Sequence, residues 1–403
     1  MHPALTALLL SPAARAAPLP GLLDEVCALL RGTCGLPIDR ASWSVPTLHP
    51  DIRAHQLVWT PGGGAVEIAR RWGGAAGVFS RSPLAVLYAG DAVELWLPIA
   101  PGPGPRAYEL LDELAEQGFT DYFVAVIGEA PKLERGPVSW ATRQPGGFTT
   151  EQIDALRSIL PLLSLVILAH ALRRRTHGLL QTYLGLDAAE RVLAGTIRRG
   201  DVVEVEAAIA FCDLRGFTGL AARLSPAALI ALLNDVFDAV VGVVDEQGGD
   251  VLKFIGDAVL VIFRVEAAGG RAEAAERALR AAQGAVAAVA ALASAREAAG
   301  EPGAAVGFGL HLGRVSYGNI GAHARLDFTV IGADVNLASR LEGLCPRLGV
   351  SAALSGELAA ALPAAARSAL SPRGEFALKG VPAPVEVWTV EPAGPAAGGS
   401  AGA

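Results

Sequence analysis

Two aspartates follow apolar segments of strand type, and carboxylates at such positions can carry metal chemistry. Asp213 closes residues 207–212, and Asp257 lies in a two-residue loop between residues 251–255 and 258–263. A Gly-Asp loop between two such runs predicts a β-hairpin. If the first strand pairs with this hairpin, the two carboxylates lie together and can hold hard cations through oxygen. Each aspartate taken singly is equally typical of a turn, because turns favour Asp.

A second pair of functional side chains shares one helix face. Asn336 and Arg340 are four residues apart on a helix predicted over residues 335–347, with Asp334 as its cap. The guanidinium can bind a phosphate through its fixed fork of donors, and the amide can hold a sugar hydroxyl or ring oxygen. On an isolated helix the same two side chains would be ordinary solvated surface.

The segments between these residues alternate between strands and helices. Helices are predicted over residues 227–246 and 267–299, and further strands over residues 306–312 and 325–331. Together with the first strand and the hairpin, the order is β, α, β, β, α, β. That order predicts a ferredoxin-like α+β sheet with its helices on one face.

The first 176 residues predict a separate α/β domain. Its predicted helices cover residues 22–31 and 108–117, followed by a long helix that begins at Thr149 or Thr150 and runs toward Leu184. Its predicted strands cover residues 38–48, 65–70, 84–88, 93–98, 122–127 and 138–142. A small antiparallel sheet closed by helices resembles sensor modules of the GAF or PAS kind, although no residue identifies a ligand.

The chain of 403 residues is long enough for two domains. Residues 177–200 are predicted to form a helical linker, which would transmit a signal from the first domain to a catalytic domain at residues 201–391. Residues 392–403 consist of Gly, Ala, Pro and Ser and are predicted to be a disordered tail.

Composition and charge limit the partners and the location of the protein. A net charge of -7 argues against nucleic-acid binding, which needs a basic surface. The four cysteines have neither disulfide nor zinc spacing, so reduced thiols and a cytoplasmic location are expected.

Two apolar segments bear on targeting. No Lys or Arg precedes residues 4–10, so a signal peptide is not expected. Residues 159–172 precede three arginines but include Pro161 and are shorter than the roughly 20 residues that a membrane span requires. We therefore expect a buried helix and no membrane span.

Three blocks of sequence together resemble the class III nucleotidyl cyclases. They are FCDLRGFT at residues 211–218, KFIGDA at residues 253–258 and VNLASR at residues 335–340. Their order and spacing are highly specific, and the resemblance extends over roughly residues 199–390.

This resemblance implies a homodimer with two composite sites at the protomer interface. Asp213 and Asp257 would bind two Mg²⁺ or Mn²⁺ ions per site, which activate the ribose 3'-hydroxyl and hold the triphosphate. Asn336 and Arg340 of the other protomer would orient the ribose and neutralise charge on the α-phosphate. The resemblance further implies that Phe217, Thr218 and Lys379 contact the substrate, with Lys379 on the phosphates.

The resemblance also indicates which nucleotide base the site recognises. Lys253 matches the lysine that recognises adenine, and Thr329 occupies the partner position, where many adenylate cyclases have aspartate. Threonine both donates and accepts, so it sets specificity less sharply than aspartate. ATP is the expected substrate, and the expected function is an adenylate cyclase regulated by an unknown small-molecule or protein signal at the N-terminal domain.

Three other interpretations stay open. A catalytically silent, nucleotide-binding signalling dimer would not need both aspartates, Asn336, Arg340 and Lys253 together. A guanylate cyclase would differ from the expected adenylate cyclase only in the base of its substrate, which would be guanine instead of adenine. A diguanylate cyclase would share the sheet order and explain Gly248-Gly249-Asp250, but residues 251–252 are Val-Leu and not an acidic residue followed by Phe.

Overall fold

The computed structural model describes residues 2–72, 81–90, 92–99, 106–127 and 136–390. It divides into two compact units, the first Met1–Thr182 and the second Tyr183–Ala403. The predicted disordered tail at residues 392–403 lies outside the described residues. The α+β content that the sequence predicts is confirmed.

The first unit is built on an antiparallel sheet whose described strands follow the order β3-β2-β1-β6-β5-β4. The strands are β1 Arg40–Pro46, β2 Ile52–Thr60, β3 Gly64–Arg71, β4 Glu94–Pro98, β5 Asp121–Ile127 and β6 Gly136–Thr142. The helices are α1 Pro3–Leu10, α2 Pro12–Ala16, α3 Leu19–Gly32, α4 Pro83–Ala89, α5 Glu109–Glu116 and α6 Thr150–Leu184. Trp43, Phe123 and Trp140 are fully buried in one core with residues of α3 and α6, an arrangement compatible with a sensor domain.

Two secondary-structure predictions for the first unit are wrong. Residues 84–88, predicted as a strand, belong to α4, which begins at Pro83 directly after Ser82. Proline at the first helical position has a backbone angle suited to a helix, and this local signal outweighs the strand-like composition. Strand β2 was not predicted. Only two of its residues, Leu57 and Trp59, are buried, so its sequence lacks a clear apolar pattern.

The second unit contains a larger sheet with the strand order β13-β14-β12-β10-β7-β9-β8 and with β11 paired to β10. The strands are β7 Val202–Leu214, β8 Asp250–Ile255, β9 Ala258–Arg264, β10 Val306–Ala322, β11 Arg325–Ile331, β12 Ala352–Ser355, β13 Leu370–Phe376 and β14 Val385–Val390. The helices are α7 Leu186–Leu193, α8 Phe217–Arg223, α9 Pro226–Glu246, α10 Val265–Ala268, α11 Arg271–Ala298, α12 Ala333–Glu342, α13 Cys345–Leu348, α14 Gly356–Ala361 and α15 Ala364–Arg367. Strands β10-β7-β9-β8 form the predicted ferredoxin-like core.

Both faces of the second sheet are covered by helices. Ala208 and Cys212 of β7 pack in one core with α9 and α11, whereas Ala207 and Ile209 pack on the other side with Ala338 of α12. Successive residues of a strand point to opposite faces, so β7 must be apolar on both. The two helices of the predicted β, α, β, β, α, β order, α9 and α11, lie on one face as expected, and α12, which follows that order in the chain, covers the second face.

Among the described residues, three helices are long and apolar enough to cross a membrane, judged by length and composition alone. They are α6 with 35 residues, α9 with 21 and α11 with 28. Because α6 extends well beyond residues 159–172, the length argument against a membrane span is wrong. Each helix nevertheless buries one side in protein, with Leu163 of α6, Val240 of α9 and Ala278 of α11 fully buried.

Candidate active site

The carboxylates of Asp213 and Asp257 lie at the same edge of the second sheet. Strands β8 and β9 form the predicted hairpin around residues 256–257, and Gly256 has the left-handed φ of 66° that favours glycine. Strand β7 pairs with β9 in antiparallel register, with Asp213 opposite Ala258. The hydrogen-bonded ladder therefore brings Asp213 next to the hairpin turn that carries Asp257.

The two carboxyl groups interact directly. Burial, a hydrogen bond with the Asp257 side chain and the charge of that carboxyl raise the pKa of Asp213 to about 6. The Oδ1 atom of Asp213 is buried and has no hydrogen-bond partner among the described residues. A buried carboxylate oxygen without a partner is costly, and a bound cation would relieve that cost.

This pair fits a divalent cation that is shared with a substrate. Within the described part of the chain, no group of three or more His, Cys, Asp or Glu side chains is arranged to hold a metal ion. Mg²⁺ at nucleotide sites is characteristically held by one or two carboxylates together with substrate phosphates. Asp213 and Asp257 provide such a partial ligand set, which phosphate oxygens and water would complete.

An ion pair that the sequence analysis missed lies beside the aspartates. Arg215 approaches Glu342 of α12 at 3.4 Å and donates a hydrogen bond to the carbonyl oxygen of Val350 at 3.1 Å. Burial raises the pKa of Glu342 to about 7, and the Arg215 guanidinium opposes that rise. Nothing local in the sequence indicates this pair, because 127 positions of chain separate its members.

Three glycines on one face of β10 leave room for groups that pack closely against this strand. A Cβ at Gly307 would overlap the guanidinium of Arg215, and one at Gly309 would overlap the backbone of α12. At Gly313 it would overlap the carboxylate of Asp334. Glycine at positions 309 and 313 therefore lets α12 rest directly on the strand, and glycine at position 307 leaves room for the Arg215 side chain.

Helix α12 begins two residues earlier and ends five residues earlier than the sequence predicts. Its N-cap is Gly332, so Asp334 is not the cap; its carboxylate instead accepts a hydrogen bond from the backbone N–H of Arg314 at 2.7 Å. The helix ends at Glu342 and not at Arg347. The sequence pattern missed both points because Asp is itself a preferred cap and residues 345–348 form a further helical turn.

Asn336 and Arg340 share the solvent-facing side of α12. Both are exposed, whereas Leu337, Ala338 and Leu341 are buried. Within the described residues Arg340 forms no ion pair, so its guanidinium is available to a ligand. Both side chains lie on the side of α12 that faces away from the sheet, and β7 of that sheet carries Asp213.

The two base-recognition candidates lie close to a third residue. Lys253 of β8 donates a hydrogen bond to Asp327 of β11 at 2.5 Å. Thr329 is only 4% exposed, and its hydroxyl has no hydrogen-bond partner among the described residues. The sequence analysis missed Asp327, although it lies two positions before Thr329 and so faces the same side of the strand.

The remaining predicted substrate contacts lie at the ends of elements. Phe217 and Thr218 begin α8 after Gly216, where the first N–H groups have no acceptor within the helix. Phe217 packs partly against the core and Thr218 is exposed. Lys379 is exposed in the turn between β13 and β14, a turn closed by a hydrogen bond from Val381 to Leu378 at 3.1 Å.

Comparison with known proteins identifies similarity in the second unit. The family described as "Adenylate and Guanylate cyclase catalytic domain" matches residues 203–392. An adenylate cyclase of Anabaena cylindrica is 35% identical over 142 residues, which cover 35% of this chain and 28% of that protein. Adenylate cyclase 1 of Rhizobium meliloti (strain 1021) is 33% identical over 150 residues, covering 37% of this chain and 22% of that protein. The matched part thus spans less than a third of these relatives.

Among solved structures, the adenylyl cyclase CyaB from P. aeruginosa is similar to part of this chain. It is 29% identical with a TM-score of 0.43, and the match covers 47% of this chain and 96% of that chain.

Proposed function

Residues 203–392 form a catalytic domain of the class III nucleotidyl cyclase family, and we propose on this premise that the chain is an adenylate cyclase. It would convert ATP to 3',5'-cyclic AMP and pyrophosphate at composite sites of a homodimer. The observation that carries the proposal is the strand register, which places Asp213 opposite Ala258 and so beside Asp257 in the hairpin turn.

The two aspartates would hold two Mg²⁺ or Mn²⁺ ions. Bound there, the ions would supply charge that lowers the pKa of the ribose 3'-hydroxyl and neutralises the triphosphate. Asp213 would bind the ions as a carboxylate, since metal ligands bind in their deprotonated form. Both carboxylates would then be fixed on rigid strand ends, which keeps the reacting groups aligned.

The reaction is an in-line displacement at the α-phosphorus. The bond from the 3'-oxygen to the α-phosphorus forms as the bond from that phosphorus to the bridging β-phosphate oxygen breaks. The hydroxyl loses its proton, and pyrophosphate leaves. Arg340 would neutralise charge that develops on the α-phosphate, and Asn336 would orient the ribose.

A second protomer would provide Asn336 and Arg340. Both side chains are exposed on the side of α12 that faces away from the sheet, and Arg340 forms no ion pair within the described residues. The hairpin that carries Asp257 also exposes apolar side chains, with Phe254 51% and Ile255 45% exposed. An exposed apolar surface beside a charged site is the property expected of a subunit interface.

Lys253 and Thr329 would select adenine. Asp327 would anchor the Lys253 ammonium with one of its three donors and leave the other two for the base. The buried Thr329 hydroxyl, which has no partner among the described residues, would complete the contact with the purine edge. Unpaired buried polar groups discriminate strongly between ligands, because the wrong ligand leaves them unsatisfied.

One assay tests the proposal. The purified chain is incubated with ATP and either Mn²⁺ or Mg²⁺, and cyclic AMP and pyrophosphate are measured, with GTP in parallel. Equal amounts of both products from ATP, lost in Asp257→Ala, are expected. Binding of ATP without either product would instead indicate a silent signalling dimer, and cyclic GMP as the main product would indicate a guanylate cyclase.

The first unit would regulate this activity in the cytoplasm. The four cysteines are free thiols, as expected of a reducing compartment. Comparing the turnover of the full chain with that of a chain that begins at Arg198 would show whether the first unit activates or inhibits. Equal turnover of the two chains, measured without any added signal, would contradict the proposal that the first unit by itself changes the activity.

A further inference from the structure

One face of the sheet in the first unit carries a row of polar side chains. Because alternate residues of a strand point to the same face, Arg40 and Ser42 of β1 lie on the face opposite to the buried Trp43. The pairing of β1 with β2 and of β2 with β3 places Gln56 and Arg70 on that same face. We call Arg40, Ser42, Gln56 and Arg70 the polar row.

Hydrogen bonds join three members of the polar row. Gln56 Nε2 donates to Ser42 Oγ at 3.0 Å, and Arg70 Nε donates to Gln56 Oε1 at 2.8 Å. Gln56 thus turns the Arg70 guanidinium toward β1, where Ser42 is buried. Among the described residues Arg70 forms no ion pair, so its remaining N–H donors are free to contact a ligand.

The Arg40 guanidinium is half-buried, and among the described residues it forms neither a hydrogen bond nor an ion pair. Burial lowers its pKa and the charge of Arg70 lowers it further, whereas Tyr122 and Glu113 oppose the shift. The two guanidiniums are therefore close enough to repel each other. Glu113 is exposed on α5 and lies beyond ion-pair distance of Arg40.

An unpaired guanidinium in such a place is unfavourable. A charge removed from water is costly unless it is paired, and arginine does not lose its proton. Another arginine of the same unit meets this requirement, because Arg157 pairs with Glu94 at 2.7 Å. An anion in contact with both Arg40 and Arg70 would provide the missing partner and remove their repulsion.

We propose that the polar row is a binding site for a small molecule that carries an oxyanion group, either a carboxylate or a phosphate. The planar forks of two guanidiniums match the oxygens of such a group. The Ser42 hydroxyl and the Gln56 amide add uncharged polar contacts beside it. Ile68 of β3 is 38% exposed on the same face, next to Gln56 in the strand register, and offers an apolar surface to the rest of the molecule.

Ligand-observed NMR with the full chain tests the site. Benzoate and phenyl phosphate are the probes, because each joins one oxyanion to an apolar ring, and benzamide is the uncharged control. Saturation-transfer signals are expected from at least one anion and not from benzamide. Signals from benzoate alone would identify a carboxylate as the group recognised, and signals from phenyl phosphate alone would identify a phosphate. Binding of neither anion would overturn the proposal.

Substitutions locate the binding. Arg40→Gln and Arg70→Gln should each weaken binding of the probe by roughly tenfold or more, because each removes hydrogen bonds to a charged group. Arg71→Gln is the matched control, since it changes the net charge equally and its residue is exposed at the next position of β3, on the other face. Equal weakening in all three variants would overturn the proposal. Binding that Arg340→Gln abolishes and Arg40→Gln retains would place the anion in the catalytic domain and would overturn it as well.

Thermal unfolding distinguishes a ligand-binding arginine from a structural one. In a buffer free of oxyanions, Arg40→Gln should be at least as stable as the unchanged chain, because it removes an unpaired charge. The probe that binds should raise the Tm of the unchanged chain and not that of Arg40→Gln, since a ligand stabilises the folded state to which it binds. A lower Tm of Arg40→Gln without any probe would show that Arg40 makes a structural contact and would overturn the proposal.

A ligand at the polar row would be the signal received by the first unit, and this last step rests on the proposed function. The probe that binds should change the turnover of the unchanged chain by roughly fivefold or more and should not do so in Arg40→Gln. Binding without any change in turnover would overturn the role as a signal. A chain that binds a probe through Arg40 but makes no cyclic nucleotide contradicts the proposed enzyme alone, and one that makes cyclic AMP but binds neither probe contradicts this site alone.

Discussion

Gly309 of β10 lies directly against the backbone of Ala338 in α12. A Cβ at Gly309 would overlap the carbonyl oxygen of Ala338 and also the backbone nitrogen of Glu342. The helix that carries Asn336 and Arg340 is therefore held at a distance from the sheet that only glycine permits. The position of these two side chains depends on a residue that no ligand would touch.

Replacing Gly309 with alanine should displace α12. We expect Gly309→Ala to lower the free energy of unfolding by about 1–3 kcal/mol, as overpacking typically does, and to lower turnover at least tenfold. Gly242→Ala is the control, since a Cβ at this residue of α9 meets nothing within 4 Å. That control should stabilise the protein by roughly 0.5–1 kcal/mol through helix propensity. Urea unfolding and cyclic AMP assays measure both effects, and full activity in Gly309→Ala would contradict the close packing.

The raised pKa of Asp213 predicts that this residue opposes folding at neutral pH. Its folded-state pKa of about 6 lies above the value of 3.8 for an ordinary aspartate. Its contribution to stability is therefore fully present below about pH 4 and is lost as the pH rises through about 6. Without metal, Asp213→Asn should be more stable than the unchanged chain by roughly 1 kcal/mol at about pH 8, after allowance for solvent screening.

The Asp213→Asn variant should also lose its turnover, because the amide of asparagine is a poor metal ligand. Urea unfolding with a chelator at about pH 4 and about pH 8 measures the difference in stability. Asp238→Asn, at an exposed position of α9, is the matched control and should show neither effect. A stability difference that does not change between the two pH values would contradict the raised pKa of Asp213.

The ion pair between Lys253 and Asp327 predicts coupled effects on base selection. Asp327→Asn should raise KM for ATP about two- to fivefold, because a partly exposed ion pair contributes up to roughly 1 kcal/mol. Lys253→Ala should have a larger effect, and adding Asp327→Asn to it should cost little more, since the pair is already broken. Measuring kcat/KM for ATP and GTP in the unchanged chain, the two single variants and the double variant gives the coupling energy between Lys253 and Asp327. Strictly additive losses would mean that Asp327 does not position the lysine.

Composite sites predict complementation between two inactive chains. Asp257→Ala and Arg340→Ala should each be inactive, yet a heterodimer of the two retains one intact site formed by Asp257 of one chain and Arg340 of the other. Random pairing should restore about a quarter of the original activity. The matched control mixes Asp213→Ala with Asp257→Ala, where every site lacks a carboxylate and no activity should return. No recovery in the first mixture, despite exchange of protomers, would contradict shared sites.

Local signals in the sequence were sufficient to predict the hairpin and the neighbouring aspartates. The Gly-Asp loop fixes the pairing of β8 with β9, and alternation along β7 leaves Asp213 at the same edge. Residues 84–88 show the limit of such reasoning, because a short apolar segment fits a strand or a helix equally well and Pro83 decided it. The full length of α6 was predicted, because a cap at Thr149 or Thr150 and helical spacing toward Leu184 are local signals, and the structure confirms it as Thr150–Leu184.

The sequence by itself determined which residue types stand at the strand ends and on the face of α12, because periodicity and turn chemistry act over a few residues. Only the tertiary structure decided that Lys253 pairs with Asp327 and that Arg215 pairs with Glu342. It also decided that Leu165 and Leu172 of α6 are exposed while Leu163 on the other side of that helix is buried. Burial and ionic contacts depend on residues that are distant in the chain, and no local pattern records which of them the packing of sheet and helices brings together.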